Sequence, residues 1–159
     1  MEIEVYVENL IVDPVAKMPV VVLKEKGGER ILPIWIGFAE ANGIAIALEG
    51  IDIPRPQTYD LFHNILTQLG YKISKIIITE VKNNTYYANI YLRNINNDRE
   101  IIIDARPSDS IALALRFNAT ILAEESLLKK IENLSVDNVD DLKKWLEELS
   151  PEELGKYKM

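Results

Sequence analysis

The stretch Arg99-Glu-Ile-Ile-Ile-Asp-Ala-Arg-Pro-Ser-Asp-Ser-Ile-Ala-Leu-Ala-Leu-Arg-Phe-Asn118 decides how this chain is built. Glu100 to Asp104 carries three consecutive isoleucines, a β-branched run that suits a buried strand. Asp109 to Phe117 is rich in Ala and Leu, which favours helix. Between them, Pro107 keeps Arg106 out of helical conformation. Ser108 is a good N-cap for a helix whose first turn holds Asp109. That helix is apolar on nearly every side, so it must be buried. Yet Asp104, Arg106, Asp109 and Arg116 stand at the two ends of this strand–turn–helix. Two readings fit these charges. Arg106 pairs with Asp104 or Asp109 to fix the turn, and Asp109 serves the helix dipole; or the charges form a functional site.

Moving outward, Ile111-Ala-Leu-Ala-Leu115 nearly repeats Ile44-Ala-Ile-Ala-Leu48. At the same offset Ile34-Trp-Ile36 falls on Ile101-Ile-Ile103, so strand and helix align together without a gap. Two further strands precede each. Glu2 to Val12 alternates apolar and acidic residues, Asp13-Pro14 breaks it, and Pro19 to Glu25 is a second strand ahead of a Gly27-Gly28 hairpin turn. Arg30 to Ile36 is a third, where Pro33 demands an edge, a bulge or a kink. A small, apolar helix from Phe38 to Leu48 ends near Gly50. In the second half, Tyr71 to Lys82 and Thr85 to Arg93 are joined by Asn83-Asn84, residue types that suit a hairpin turn. Along the latter strand Tyr86, Ala88, Ile90 and Leu92 share one face. The expected fold is therefore α+β, one compact domain of mixed sheet and helices. It holds two strand–strand–strand–helix units, residues 2–50 and 71–118, related by a pseudo-two-fold. Unrelated convergence of apolar runs is the competing explanation.

Between the units, Arg55 is held extended by Pro54 and Pro56 and presents its guanidinium. Gln57 or Thr58 caps a helix that runs to Leu69, with Gly70 beyond it. Leu61, Phe62, Ile65, Leu66 and Leu69 form its apolar face. Tyr59 and His63 are four apart and neighbours on the helix, with Asp60 beside them. After the central stretch come a short strand, Thr120 to Ala123, and a modest helix, Glu124 to Ile131. Asp137 or Asn138 then caps a last amphipathic helix, followed by a Ser150-Pro-Glu-Glu capping box. Residues 1–135 thus read as the domain and 136–159 as a C-terminal helical appendage.

Composition narrows the chemistry. At 159 residues the chain is long enough to bury a proper core, and 48% hydrophobic with 27% charged content is ordinary for a soluble protein. No apolar run is long enough for a membrane span and no leader pattern opens the chain, so the expectation is a cytoplasmic protein. With no cysteine, disulfides, thiolate zinc sites and cysteine nucleophiles are excluded. His63 is the sole histidine, so any metal site must be built from carboxylates, which favours magnesium, manganese or calcium. The net charge of −7 argues against a broad nucleic-acid-binding surface. No nucleophile elbow, phosphate-binding glycine loop or RNA-stacking motif is present.

Three motifs in order carry a resemblance. Asp104-Ala-Arg-Pro-Ser-Asp-Ser-Ile-Ala-Leu-Ala-Leu-Arg116, Leu32-Pro-Ile-Trp-Ile-Gly37 with Glu40-Ala41, and Pro54-Arg-Pro-Gln-Thr-Tyr-Asp-Leu61 together resemble the signature of the bifunctional nuclease domain family, over about Met1 to Glu125. The resemblance implies a compact α+β fold, a homo-oligomer (dimer or larger), and in some members RNase and DNase activity. The matching charged positions are Glu40, Arg55, Asp60, Asp104, Arg106, Asp109 and Arg116. Tyr59 departs from the histidine the family pattern leads one to expect there. The family's frequent UVR-type helical extension is replaced by a short acidic tail.

For a nuclease, the expectation is that Glu40, Asp60, Asp104 and Asp109 bind one or two hard cations, Mg2+ or Mn2+, and orient a water. Asp104, Arg106, Asp109 and Arg116 form the catalytic set, the arginines clamping the phosphate. Arg55, Tyr59 and His63 bind the RNA or DNA substrate. The competing expectation is a non-enzymatic oligomeric scaffold or regulatory ligand-binding module. Convergence of Asp104, Asp109 and Glu40 in an open cleft favours the enzyme, and burial of each against its own arginine favours the scaffold.

Overall fold

The computed structural model describes residues 1–130. The C-terminal helical appendage expected over residues 136–159 lies outside the described residues. Among the described residues, seven strands form one mixed sheet: β1 (Glu2–Val12), β2 (Pro19–Glu25), β3 (Ile31–Trp35), β4 (Tyr71–Lys82), β5 (Thr85–Asn94), β6 (Glu100–Ala105) and β7 (Thr120–Glu124). The described residues also form three α-helices: α1 (Phe38–Glu49), α2 (Thr58–Gln68) and α3 (Pro107–Phe117). This is the α+β class expected. None of these helices is long and apolar enough to cross a membrane.

The strand order is β3-β2-β1-β7-β4-β5-β6. Each unit is an antiparallel meander followed by a helix, and the two meanders run outward in opposite directions from a central strand. That central strand is β7, which pairs antiparallel with β1 and parallel with β4. The short late strand thus stitches the units together. Asn83 and Asn84 have φ of 50° and 59°, the pair of positive values that a tight hairpin turn requires. Gly50 ends α1 at φ 61°, where a side chain would be strained.

Helix α3 packs on α1 and α2 and lies over β4, β5 and β7. Ile111, Ala112 and Ala114 are fully buried, as its composition requires. On β5, Tyr86, Ala88, Ile90 and Leu92 form the buried face, as their alternation predicts. Pro33 sits in an edge strand opposite Val22, one of the three arrangements it allows.

Four expectations are corrected. Strand β6 is not buried but forms the other edge of the sheet, with Ile102 54% and Ile103 42% exposed. Composition speaks for strand; it says nothing about what lies beside it. Ser108 is not the N-cap: Arg106 occupies that position and Pro107 begins the helix, whose favoured place for proline is the first turn. Ser108 is buried instead, its hydroxyl without a hydrogen-bond partner among the described residues. The apolar face of α2 is mostly solvent-facing: Leu61, Phe62, Ile65 and Leu69 are exposed, and Leu66 packs on the core. Finally, the segment from Glu124 is a single 3-10 turn, Glu125–Leu127, after which Lys129 bridges back to Ile31 on the β3 edge.

Candidate functional site

The strand–turn–helix Glu100–Phe117 positions the charged cluster. At its turn, Arg106 has extended backbone (φ −69°, ψ 144°), so its side chain leaves the chain just ahead of the first turn of α3. Asp109 is three residues on, where i,i+3 geometry lets the two meet. Arg106 Nε donates to Asp109 Oδ2 at 2.8 Å and Nη2 to Oδ1 at 3.1 Å, a two-pronged pairing. Nη2 also lies 3.2 Å from Oε1 of Glu40, in the first turn of α1. One arginine therefore ties the N-terminal ends of the two unit-terminal helices. The Asp109 hydrogen bond, against a smaller effect of burial, raises Arg106 above its ordinary value, so it stays charged.

Tyr59, on α2, completes the cluster by donating its hydroxyl to Asp109 Oδ1 at 2.7 Å. Burial first, then the Asp109 hydrogen bond and charge, push the phenol pKa well up, so Tyr59 is a neutral donor. Its ring lies 5.2 Å from the Arg116 guanidinium. A Cβ added at Gly43 would come within 2.5 Å of the ring's Cδ2 and Cε2, so the glycine makes room for Tyr59.

Behind this cluster stands a second pair. Arg116, its side chain 7% exposed, donates from Nε to Asp60 Oδ1 at 2.9 Å and from Nη1 to the Ala112 carbonyl at 3.0 Å. Asp60 Oδ2 accepts from the Gln57 backbone N–H at the start of α2. Burial works to raise the Asp60 carboxyl, but the hydrogen bonds from Arg116 and Gln57 outweigh it and hold the pKa below the usual range. This pair fastens α2 to α3.

The cluster opens onto a groove of about 1340 Å³ between the sheet and the helices. Ile73, Tyr86, Ile90, Leu92 and Ile103 supply its sheet side, and Leu61, Phe62 and Leu66 its α2 side. Glu40, Tyr59, Arg106 and Asp109 supply its charged end. An apolar channel with a few convergent polar groups is the ordinary form of a binding site.

The expected site residues thus separate. Glu40, Tyr59, Arg106 and Asp109 come together at the groove. Asp60 and Arg116 join them through the Tyr59 ring and do not line it. Asp104 reaches the groove rim, but it pairs with Asn89 on the opposite side of the pleat from Ile103 and Ala105, and its carboxylate makes no hydrogen bond or ion pair among the described residues. Arg55 is exposed and unpaired among the described residues, while its neighbours Pro56 and Gln57 line the groove. His63 packs at a tilt against Phe117, centroids 4.4 Å apart, away from the groove lining.

The carboxylate set expected to hold Mg2+ or Mn2+ is not assembled. Among the described residues no three Asp, Glu or His side chains gather as metal ligands. Both oxygens of Asp109 face Arg106, one of Glu40 faces it too, and both of Asp60 are engaged. These donors do not fit a hard-cation site. Gly43 escaped sequence reasoning, although a glycine inside a helix pattern commonly has a packing reason and would have been the signal. The sheet-side residues of the groove read simply as core.

A family model described as the bifunctional nuclease domain matches residues 21–135. An uncharacterized protein of Mycobacterium tuberculosis is 38% identical over 138 residues, covering 87% of this chain and 81% of the relative. A protein of Oryza sativa subsp. japonica named bifunctional nuclease 1 is 36% identical over 103 residues, and one of that name from Arabidopsis thaliana 29% over 114. The matched parts are 31% and 35% of these two plant proteins, about a third of their length. With the family's region matched over most of the described fold, the chain belongs to the bifunctional nuclease domain family.

Proposed function

We propose that this protein is a nuclease hydrolysing phosphodiester bonds of RNA or DNA at the charged end of the groove. The observation that carries the reading is the state of Arg106. Its Nε and Nη2 are held by Asp109 and Glu40, while Nη1 has no hydrogen-bond partner among the described residues and the side chain is 43% exposed. A guanidinium fixed on one edge and open on another is pre-organised to bind a phosphate.

Glu40 presents the second group. Oε1 faces Arg106, and Oε2 has no hydrogen-bond or ion-pair partner among the described residues. In the proposed step a water oxygen attacks phosphorus, its proton passes to Glu40 Oε2, and the bond to the leaving oxygen breaks. The leaving oxygen takes a proton from solvent through the open groove. Arg106 Nη1 neutralises the charge gathering on the phosphoryl oxygens. Tyr59 and Asp109 hold Arg106 in place and touch no reacting atom. No step is routed through a metal ion, because among the described residues no three Asp, Glu or His side chains gather as ligands.

The names of the plant relatives support nuclease activity in this family. The competing reading, a non-enzymatic binding module, draws on the arginine pairing of Glu40, Asp109 and Asp60, which also serves to tie the three helices. A cleavage assay on fluorogenic single-stranded RNA and DNA separates them, run with EDTA and with added magnesium or manganese. Glu40→Gln keeps shape and should lower cleavage by tenfold or more, about 1.4 kcal/mol or more of transition-state stabilisation, with the melting midpoint little changed. Wild-type protein inert under all these conditions leaves the binding module. Cleavage that vanishes in EDTA and returns with metal means the carboxylates regroup around a cation, against the mechanism above.

A further inference from the structure

The two edges of the sheet are treated differently. On the β3 edge, Pro33 removes a donor and Lys129 bridges to Ile31, with Ile31 N donating to Lys129 O at 3.0 Å and the return bond at 2.8 Å. That edge is blunted by means proteins commonly use. The β6 edge carries two charges, Glu100 and Asp104, but neither of these devices. Glu100–Ala105 contains no proline and no lysine, and its pairing with β5 runs from Arg93↔Glu100 to Ala88↔Ala105 without a bulge. Its outer backbone groups have no strand partner among the described residues. Ile102 and Ile103, on opposite faces of the strand, are both substantially exposed. A regular edge with two exposed isoleucines and open backbone groups is a template for another strand.

We infer that β6 pairs antiparallel with β6 of a second copy, joining two sheets across a two-fold axis. Symmetry restricts the register. A two-fold that relates antiparallel edge strands stands perpendicular to the sheet and keeps both copies' helices on one side. Opposed residues must then belong to the same face, so the axis passes through a residue pair and not between residues. Two such registers keep most of the strand paired. Centring on Ile102 sets Glu100 opposite Asp104 twice, which places like charges directly across the join. Centring on Ile103 sets Ile101 opposite Ala105 and Ile102 opposite Asp104, with no like charges opposed within the strand. Charge therefore selects the second register, with Ile103 facing its own copy. Because Ile103 lines the groove, the join also brings the two grooves together at the axis.

The chain has no cysteine, so single cysteines report the register cleanly. Directly opposed Cβ atoms in such a ladder lie roughly 4.5–5.5 Å apart, close enough for a disulfide to form with small adjustment. Under mild oxidation Ile103→Cys should give a covalent dimer on a non-reducing gel, and Ile102→Cys should not. By light scattering, wild-type protein at tens of micromolar should have twice the 18.1 kDa chain mass. Ile102→Glu, which sets a like charge opposite Asp104 of the second copy without entering the groove lining, should shift it to the single-chain mass with an unchanged circular dichroism spectrum. A monomeric wild type, crosslinking through Ile102→Cys in place of Ile103→Cys, or a dimer indifferent to Ile102→Glu would each overturn the proposal.

Discussion

Tyr59 on α2 and Asp109 on α3, fifty residues apart in the chain, meet in a 2.7 Å hydrogen bond from the phenol to a carboxylate that already holds Arg106. The tyrosine steadies the carboxylate, and the carboxylate steadies the arginine. Tyr59→Phe removes the first link and should cost about 1.5–3 kcal/mol, as for a hydrogen bond to a charged group.

The same bond makes a pH prediction. Burial and Asp109 raise the folded phenol above its ordinary value, so its contribution to stability is complete below the unfolded value, about 10. It declines as pH rises beyond that. Urea unfolding of wild type and Tyr59→Phe should therefore show a gap in stability that is constant up to about pH 9 and shrinks at pH 10–11. Tyr86, also raised by its burial, is common to both proteins and cancels. A gap that persists or widens there would rule out a raised phenol.

Gly43 supplies a test of the Tyr59 ring position. Alanine is normally better than glycine inside a helix by about 1 kcal/mol. Here the added Cβ collides with the ring, and overpacking of this kind costs about 1–3 kcal/mol. Gly43→Ala should thus lower stability in the wild-type background, yet be neutral or stabilising in a Tyr59→Ala background, which removes the ring. Equal effects in both backgrounds would place the ring elsewhere.

Ser108 gives the opposite kind of result. Its hydroxyl is fully buried with no hydrogen-bond partner among the described residues, a costly state for a polar group. Ser108→Ala should leave the melting midpoint unchanged or higher, by up to about 1 kcal/mol of stability. A loss of that size would restore the capping role that the sequence suggests.

These cases show which parts of the molecule can be read from residues alone. Strand and helix positions follow from alternation, β-branched runs, Asn83-Asn84 and Gly50, because those signals are local. The Arg106–Asp109 pair is legible for the same reason, three residues apart at a helix start. What escapes is set by the neighbours the fold supplies. Ile101-Ile-Ile103 reads as interior, although β6 has a strand on one side alone among the described residues. The α2 stripe reads as packed, although Leu61, Phe62, Ile65 and Leu69 face outward. Four carboxylates read as one metal site until Arg116 is found holding Asp60 and Arg106 holding Asp109 and Glu40.

The last prediction separates positioning from structure at Asp109. Asparagine keeps the size of aspartate but offers one acceptor oxygen and one donor group, so it cannot accept both prongs of Arg106. Asp109→Asn should fold, since Glu40 still meets Arg106 and the Asp60–Arg116 pair still fastens α2 to α3. Because the Arg106 fork is no longer fixed, cleavage of single-stranded RNA or DNA should fall by tenfold or more, about 1.4 kcal/mol or more. Arg106→Lys retains the charge and loses the planar fork, so it should raise KM for substrate as well as lower kcat. A residue serving the helix dipole alone would change the melting midpoint and leave both kinetic constants alone. Full activity in both variants, from preparations in which activity and protein coelute, would remove Arg106 and Asp109 from the catalytic site.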